Sequence, residues 1–534
     1  MKKLLTIVLA FAAILQAQSK VVIDGEMISV STDNMTMLLR ARTGEALRYL
    51  YFGDKLNASD IPSIASAGVM NADAYPAYGQ WTIREDALAV THFDGDMTLQ
   101  MGIEKVFVEP SVEGDILKVT LKDFKYPFTV TVCYKAFNDV DMIETWTEIA
   151  HSEKKNVTLR RFDSACLPIR VGDVWASHLY GTWANEGRLV EEPLERGILK
   201  IDNKDGVRNS HTSHAEIMFS LDGKPQENRG AVIGAALCYS GNFRLEVVTN
   251  DTDYHTFYAG IYPDNSSYSL APGEVFRTPE LALTFSQEGL SGASRNFHSW
   301  ARAHKLAHGD VERKILLNSW EGVYFNINEE GMDRMMADIS SMGGELFVMD
   351  DGWFGDKYPR LVDNSSLGDW VVDKKKLPHG ISWLVNAADS HNIRFGIWIE
   401  PEMANTVSEL YEKHPDWIIN ADGREVAQGR GGTQVVLDLC NPAVQDYVFS
   451  IVDNLLTENP HIDYIKWDSN MPVQSHGSKY LAKDKQSELY IRYHRGLTDV
   501  CKRIRSKYPD ITIQCCASGG GRANYGILPW FDEF

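Results

Sequence analysis

Cysteine is scarce: seven residues, Cys133, Cys166, Cys238, Cys440, Cys501, Cys515 and Cys516, are spread over 534 positions without the paired spacing of a zinc finger. That excludes a disulfide-stapled scaffold and a cysteine-based zinc site. Positive charge is also short. There are 53 Lys and Arg against 73 Asp and Glu, a net charge of −20, which argues against nucleic acid or an anionic membrane as partner and suits a neutral substrate. No stretch beyond the first fifteen residues approaches the roughly 18 apolar residues of a membrane span. No histidine cluster lies beside the acidic pairs noted below, so neither a metal nor a cofactor is expected.

What is present begins with Met1-Lys2-Lys3, an apolar run from Leu4 to Leu15, and small residues at Gln16-Ala17-Gln18-Ser19. This is the pattern of a secretory signal peptide over residues 1–19, with export to a periplasm or beyond. No cysteine stands at the cleavage site, which counts against a lipoprotein. Aromatic residues are plentiful, with 13 Trp, 22 Tyr and 21 Phe, a supply that fits sugar binding and a large core equally.

Two textures follow. From 20 to 288 the chain is β-rich: Ile116 to Lys122, Phe128 to Tyr134, Ala231 to Tyr239 and Phe243 to Thr249 alternate or are β-branched between closely spaced turns. An antiparallel β-sandwich is expected there. Residues 289–310 read as a helical linker. From 311 to 534 strands and helices alternate, the pattern of a parallel α/β barrel. The strands are Ile315 to Ser319, Leu346 to Met349, Arg394 to Ile399, Asp463 to Trp467 and Ile511 to Cys515. Between them, Met332, Met335, Met336, Ile339 and Met342 form one helical face stopped by Gly343-Gly344, and Asn441-Pro442 starts a helix with Val444, Val448, Ile451 and Leu455 inward. Five such strands predict an incomplete (β/α)8 TIM barrel.

Active sites of such barrels gather at the C-terminal strand ends. Here those ends are Asn318-Ser319-Trp320, Asp350-Asp351-Gly352-Trp353, Trp398-Ile399-Glu400, Lys466-Trp467-Asp468 and Cys515-Cys516-Ala517-Ser518-Gly519-Gly520-Gly521-Arg522. Period-two geometry puts Lys466 and Asp468 on one side of their strand, where the ammonium favours an ionised, nucleophilic carboxylate. A structural ion pair is the plainer alternative. Asp350 and Asp351 offer two acceptors for sugar hydroxyls, or simply an Asp-Gly turn. Trp320 and Trp398 are pocket walls or core. The triple glycine lets backbone approach a ligand, or is a flexible loop.

Taken together, Leu317-Asn318-Ser319-Trp320-Glu321, Asp350 to Gly355, Phe395 to Met403, Lys466-Trp467-Asp468 and Cys516 to Arg522 resemble glycoside hydrolase family 36, the α-galactosidases. The resemblance implies a retaining mechanism on terminal α-linked galactose of galacto-oligosaccharides or galactomannan, within a β-sandwich, a barrel and a small C-terminal β-domain. Position by position it implies Asp468 as nucleophile. Lys466, Asp350 and Asp351 would hold galactose hydroxyls, Trp320 and Trp398 would shape the pocket, and Cys516, Gly519 and Gly520 would lie near the 2-hydroxyl. Arg430 resembles the family's pocket arginine, with Gly431-Gly432-Thr433 as a small insertion before Gln434.

Retaining hydrolysis needs a second carboxyl as acid and base. In the family pattern it follows the equivalent of Trp530-Phe531-Asp532-Glu533-Phe534, so it is expected beyond Phe534. The chain is therefore expected to be a fragment carrying the nucleophile half of the site. Asp532 and Glu533 are the only substitutes near that position. The alternatives are an α-N-acetylgalactosaminidase, a galactosyl-transferring relative, or a non-catalytic galactoside-binding remnant. The expected partner is an α-galactoside oligosaccharide, with a homo-oligomer also suggested by the resemblance and no nucleic acid or membrane.

Overall fold

The computed structural model describes residues 20–68, 70–80, 85–169 and 172–534. The signal peptide expected at 1–19 lies outside the described residues. From Val21 to Ser286 the chain forms three antiparallel sheets, of five, ten and six described strands. Strand Phe128–Ala136 shows why: Phe128, Val130, Val132, Tyr134 and Ala136 point inward, while Thr129, Thr131 and Lys135 face partly outward. Inward residues of all three sheets join one apolar core, the sandwich read from the alternation. Strand Val157–Ile169 is the backbone of the six-stranded sheet, pairing with Leu88–Thr91 and Tyr268–Leu270 in its first half and with His255–Ile261 in its second. Among the described residues one helix is inserted, Ile61–Ala67, with Pro62 in its first turn and none of its residues buried.

Residues 289–310 are docked against both domains. Helix α1, Gly289–Trp300, runs into a wider turn at Ala301–Lys305. Trp300 is fully buried with Phe137, Phe297 and Leu528, so this helix is packed against the β-domain on one side and the barrel region on the other.

The barrel region holds five parallel strands in sequence order: β1 Leu316–Asn318, β2 Leu346–Met349, β3 Arg394–Ile399, β4 Ile462–Trp467 and β5 Thr512–Cys515. Helices α2 Glu329–Ser341, α3 Ile381–Ser390, α4 Pro442–Glu458 and α5 Leu489–Lys507 alternate with them. Five strands of a (β/α)8 barrel are thus in place, all with their C-terminal ends on one side.

Local signals explain the elements. Asn441 caps α4 by accepting a hydrogen bond from the Ala443 N–H, Pro442 occupies the first turn, and Val444, Val448, Ile451 and Leu455 are buried. The methionine face of α2 needs correction at its end. Met332 and Met336 are buried, but Met342 follows the last helical turn and is 72% exposed, because Gly343 (φ +86°) turns the chain before the face can close. Gly396 in β3 is required by close approach: a Cβ there would lie 2.9 Å from Tyr464 Cβ and 3.0 Å from Val348 Cγ2.

The domains are bolted together beside the strand tips. Segment 206–210 of the β-domain meets the loop after β5: Arg522 Nε donates to the Val207 carbonyl at 2.8 Å, the Ser210 N–H to the Gly521 carbonyl at 2.9 Å, and Asn524 Nδ2 to Asn209 Oδ1 at 2.9 Å.

Candidate active site

All five strand tips open into one cavity of about 650 Å³. Trp320, Asp350, Asp351, Trp398, Arg430, Lys466, Asp468, Cys516, Gly519 and Gly520 all line it. Asp468 directly follows β4 and is 6% exposed. Its Oδ2 accepts from Asn470 Nδ2 at 2.8 Å and Trp398 Nε1 at 3.0 Å, and its Oδ1 from the Ser469 N–H at 2.9 Å and the Ser518 N–H at 3.3 Å. Burial alone would raise its pKa, but the Lys466 charge and these donors outweigh it and hold the carboxyl below its ordinary value. The group is therefore ionised, with its oxygens fixed and its face open to the cavity.

Lys466 shares that side of the strand, yet its direct partner is Asp350, at 2.8 Å, rather than Asp468. The strand spacing had suggested an ammonium serving its own strand's carboxylate; the shorter contact crosses to the tip of β2. Burial disfavours the charged lysine, but Asp350 and, more weakly, Asp468 more than offset it and keep it protonated. Asp350 also accepts from Asn318 Nδ2 at 2.7 Å, so the tips of β1, β2 and β4 meet on one carboxylate.

Asp351 is gripped by Arg360 in a two-pronged pair at 2.9 and 2.7 Å, and Arg360 reaches on to Asn405 Oδ1 at 3.0 Å. Both aspartates of this tip line the cavity, and Gly352 after them has φ +110°. Trp320 packs edge-on against Tyr324 and Phe325. Trp398, read as a wall, is also a hydrogen-bond donor to Asp468, and Trp353 braces it from behind by donating to its carbonyl at 3.0 Å.

Arg430 lies in the turn Arg430–Gly432 and pairs with Asp363 at 3.5 Å. Gly431 (φ +64°) makes that turn possible; a Cβ would come within 2.8 Å of Asn364 Cα. Burial, with the Asp468 charge behind it, keeps the Cys516 thiol protonated, a weak donor facing the cavity. Gly519 has φ +91°, and a Cβ on it or on Gly520 would project toward Glu186. Beneath the floor, Glu402 accepts from Trp467 Nε1 at 2.9 Å, Arg522 Nη1 at 2.8 Å and the Tyr493 hydroxyl at 2.6 Å, locking β3, β4, α5 and the glycine loop together.

Several cavity residues escaped the sequence reading. Trp183, Glu186 and Arg208 come from the β-domain. Arg208 Nη1 donates to the Asn470 carbonyl at 3.0 Å, carried there by the domain contact just described. Asn470 had a signal, continuing the two-residue spacing of Lys466 and Asp468; Arg360 had none. Asp532 and Glu533 do not line the cavity. Asp532 is buried against Arg505 and His308, and Glu533 pairs with Arg313 and Tyr464. Among the described residues, no group of three or more His, Cys, Asp or Glu comes together as a metal site, and no helix is long and apolar enough to cross a membrane. All seven cysteines are unpaired.

A barrel whose strand tips hold an ionised, donor-fixed carboxylate among paired acids and tryptophans has the makeup of a glycoside hydrolase. Comparison with known proteins narrows this. Residues 45–271 match the glycosyl hydrolase family 36 N-terminal domain and residues 275–534 match Melibiase. Alpha-galactosidase AgaA of Geobacillus stearothermophilus is 34% identical over 86% of this chain and 64% of its own length. Alpha-galactosidase C of Emericella nidulans is 31% identical over 98% of this chain and 72% of its own. A crystal structure of a substituted AgaA in complex with raffinose superposes with TM-score 0.89 at 30% identity, covering 95% of this chain and 74% of that one. The chain belongs to glycoside hydrolase family 36, and it spans about two thirds to three quarters of the length of these relatives.

Proposed function

We propose that this chain acts on terminal α-linked D-galactose by a retaining route with Asp468 as nucleophile. The observation that carries the proposal is the convergence of five separate strand tips on one cavity whose ionised carboxylate is Asp468. Asp468 attacks the anomeric carbon, the bond to the leaving oxygen breaks, and a galactosyl ester forms for water to cleave. Four donors fix the carboxylate before attack, so little reorganisation is needed. Asp350, Asp351 and Lys466 accept and donate to galactose hydroxyls. Trp320 and Trp398 pack on the apolar ring face, and Cys516, Gly519 and Gly520 approach the 2-hydroxyl.

A sugar leaving group must be protonated as it departs. Asp350 and Asp351 are bound to Lys466 and Arg360, while Asp532 and Glu533 are engaged elsewhere, so none of the four is assigned that role. AgaA variants have been crystallised with raffinose and with stachyose. Oligosaccharides of that kind are the proposed substrates, and the N-terminal pattern supports export by a signal peptide to a periplasmic or extracellular setting. A homo-oligomer is part of the same proposal.

α-D-Galactosyl fluoride isolates the nucleophile, since fluoride departs without an acid. Fluoride release by the wild-type chain, absent in Asp468→Ala and absent with the gluco-configured fluoride, is the expected result. Equal release by wild type and Asp468→Ala overturns the proposal.

A further inference from the structure

Glu400 follows β3 and is completely buried, yet it does not line the cavity. Its Oε1 accepts from the Asn470 backbone N–H and from Gln434 Nε2. Its Oε2 is buried without a partner. An ionised carboxylate there would leave charge on an oxygen no donor reaches, a costly arrangement; a carboxylic acid leaves only one hydroxyl unpaired.

The surrounding charges point the same way. Asp468, at the next strand tip, opposes a second negative charge, while Arg430 offsets it in part. Arg208, from the β-domain, and Arg360, after β2, also feel Glu400. Burial first and Asp468 second push the Glu400 carboxyl up to about 8. Asn470 joins Glu400 to the nucleophile: its N–H is held by Glu400, its Nδ2 donates to Asp468 Oδ2 at 2.8 Å, and its Oδ1 accepts from Ser518 Oγ at 2.6 Å.

We infer that Glu400 is a positioning residue, a neutral carboxylic acid that clamps the chain after β4 against β3 and so holds the Asn470 amide on Asp468. Ionisation leaves the Asn470 N–H bond in place but puts an unanswered charge beside it. Of the cations that feel Glu400, Arg360 is already held by Asp351, while Arg430 and Arg208 line the sugar cavity, so neutralising Glu400⁻ draws these two from the pocket wall and disturbs the seat of the nucleophile. Glu400 thereby sets an alkaline limit on the reactivity of Asp468. The inference rests on Asp468 being the nucleophile proposed above.

The test is the rate at which 5-fluoro-α-D-galactosyl fluoride adds to the full chain, followed by intact mass against pH, for wild type, Glu400→Ala and Glu400→Gln. Wild type is expected to slow above about pH 8. Glu400→Ala loses about tenfold near neutrality, the worth of one well-placed hydrogen bond. Glu400→Gln, neutral and of the same shape, recovers that loss and does not slow above pH 8. A Glu400→Gln profile with the same alkaline decline overturns the inference. Infrared difference spectra of wild type minus Glu400→Gln at pH 6 supply a readout independent of chemistry on sugar: a protonated-carboxyl stretch supports the inference, and its absence overturns it. Should no variant be labelled at any pH, the galactosidase reading falls, and the infrared band alone decides whether Glu400 is a neutral acid.

Discussion

Replacing Lys466 with methionine keeps the length of the side chain and removes its charge, and the consequence for Asp468 can be worked out. Residues two apart on a strand lie about 6.5 Å apart. At an effective dielectric near 20, unit charges at that separation interact by about 2.5 kcal/mol, a factor of about 70 between carboxylate and acid. Lys466 leads the groups that hold the Asp468 carboxyl low against its burial, so its loss favours the protonated, non-nucleophilic form. The assay is adduct formation with 5-fluoro-α-D-galactosyl fluoride from pH 3 to 8, read as mass gain. In wild type the rate falls on the acid side as Asp468 takes up a proton. In Lys466→Met that acid limb moves to higher pH, and the plateau drops as well, because Asp350 loses its partner at 2.8 Å. A lowered plateau with an unmoved acid limb would show that Lys466 only binds sugar, and would refute the electrostatic argument.

Three further outcomes are expected. Arg360→Leu leaves Asp351 buried without its two-pronged partner and costs about 3–5 kcal/mol in urea denaturation, whereas Lys357→Leu, at an exposed pair with Glu412, costs under about 1 kcal/mol. Gly396→Ala forces a methyl against Tyr464 and Val348 and lowers stability by about 1–3 kcal/mol; an unchanged melting temperature would show that β3 and β4 can spread freely. The Glu400 carboxyl sits near 8 in the fold against an ordinary 4.5, so its contribution to stability is complete below pH 4.5 and is lost as pH rises through 8. Glu400→Gln is therefore expected to gain on wild type across that window, by at most about 5 kcal/mol at ~1.4 kcal/mol per pH unit. A stability difference that does not change between pH 5 and pH 8 would contradict this.

The residues that carry the site were readable because each barrel strand is a short apolar run followed at once by its chemistry. Leu346 to Met349 announces a strand, and Asp350-Asp351 must then stand at its tip. Arg430, just before the expected insertion Gly431-Gly432-Thr433, also lines the cavity, and the two glycines that follow it have positive φ. What stayed hidden depends on partners distant in sequence. Arg360 looks like any loop arginine until Asp351 folds onto it. Trp183, Glu186 and Arg208 reach the cavity through a domain contact that no periodicity encodes. The pairing of Lys466 with Asp350 reaches across β3, from β4 to the tip of β2, and the spacing within one strand does not report it. Met342 misled because the residue next to the Gly343-Gly344 stop already leaves the helical path, so its place in the periodicity no longer sets which way it faces.

The central claim is that Asp468 bonds to the anomeric carbon of galactose. Peptide mapping after reaction with 5-fluoro-α-D-galactosyl fluoride tests it most directly. A fluorogalactosyl mass increment confined to Asp468, and missing from Asp468→Ala, is the predicted result; an adduct on Asp350, Asp351 or Glu400 with Asp468 unmodified would contradict it.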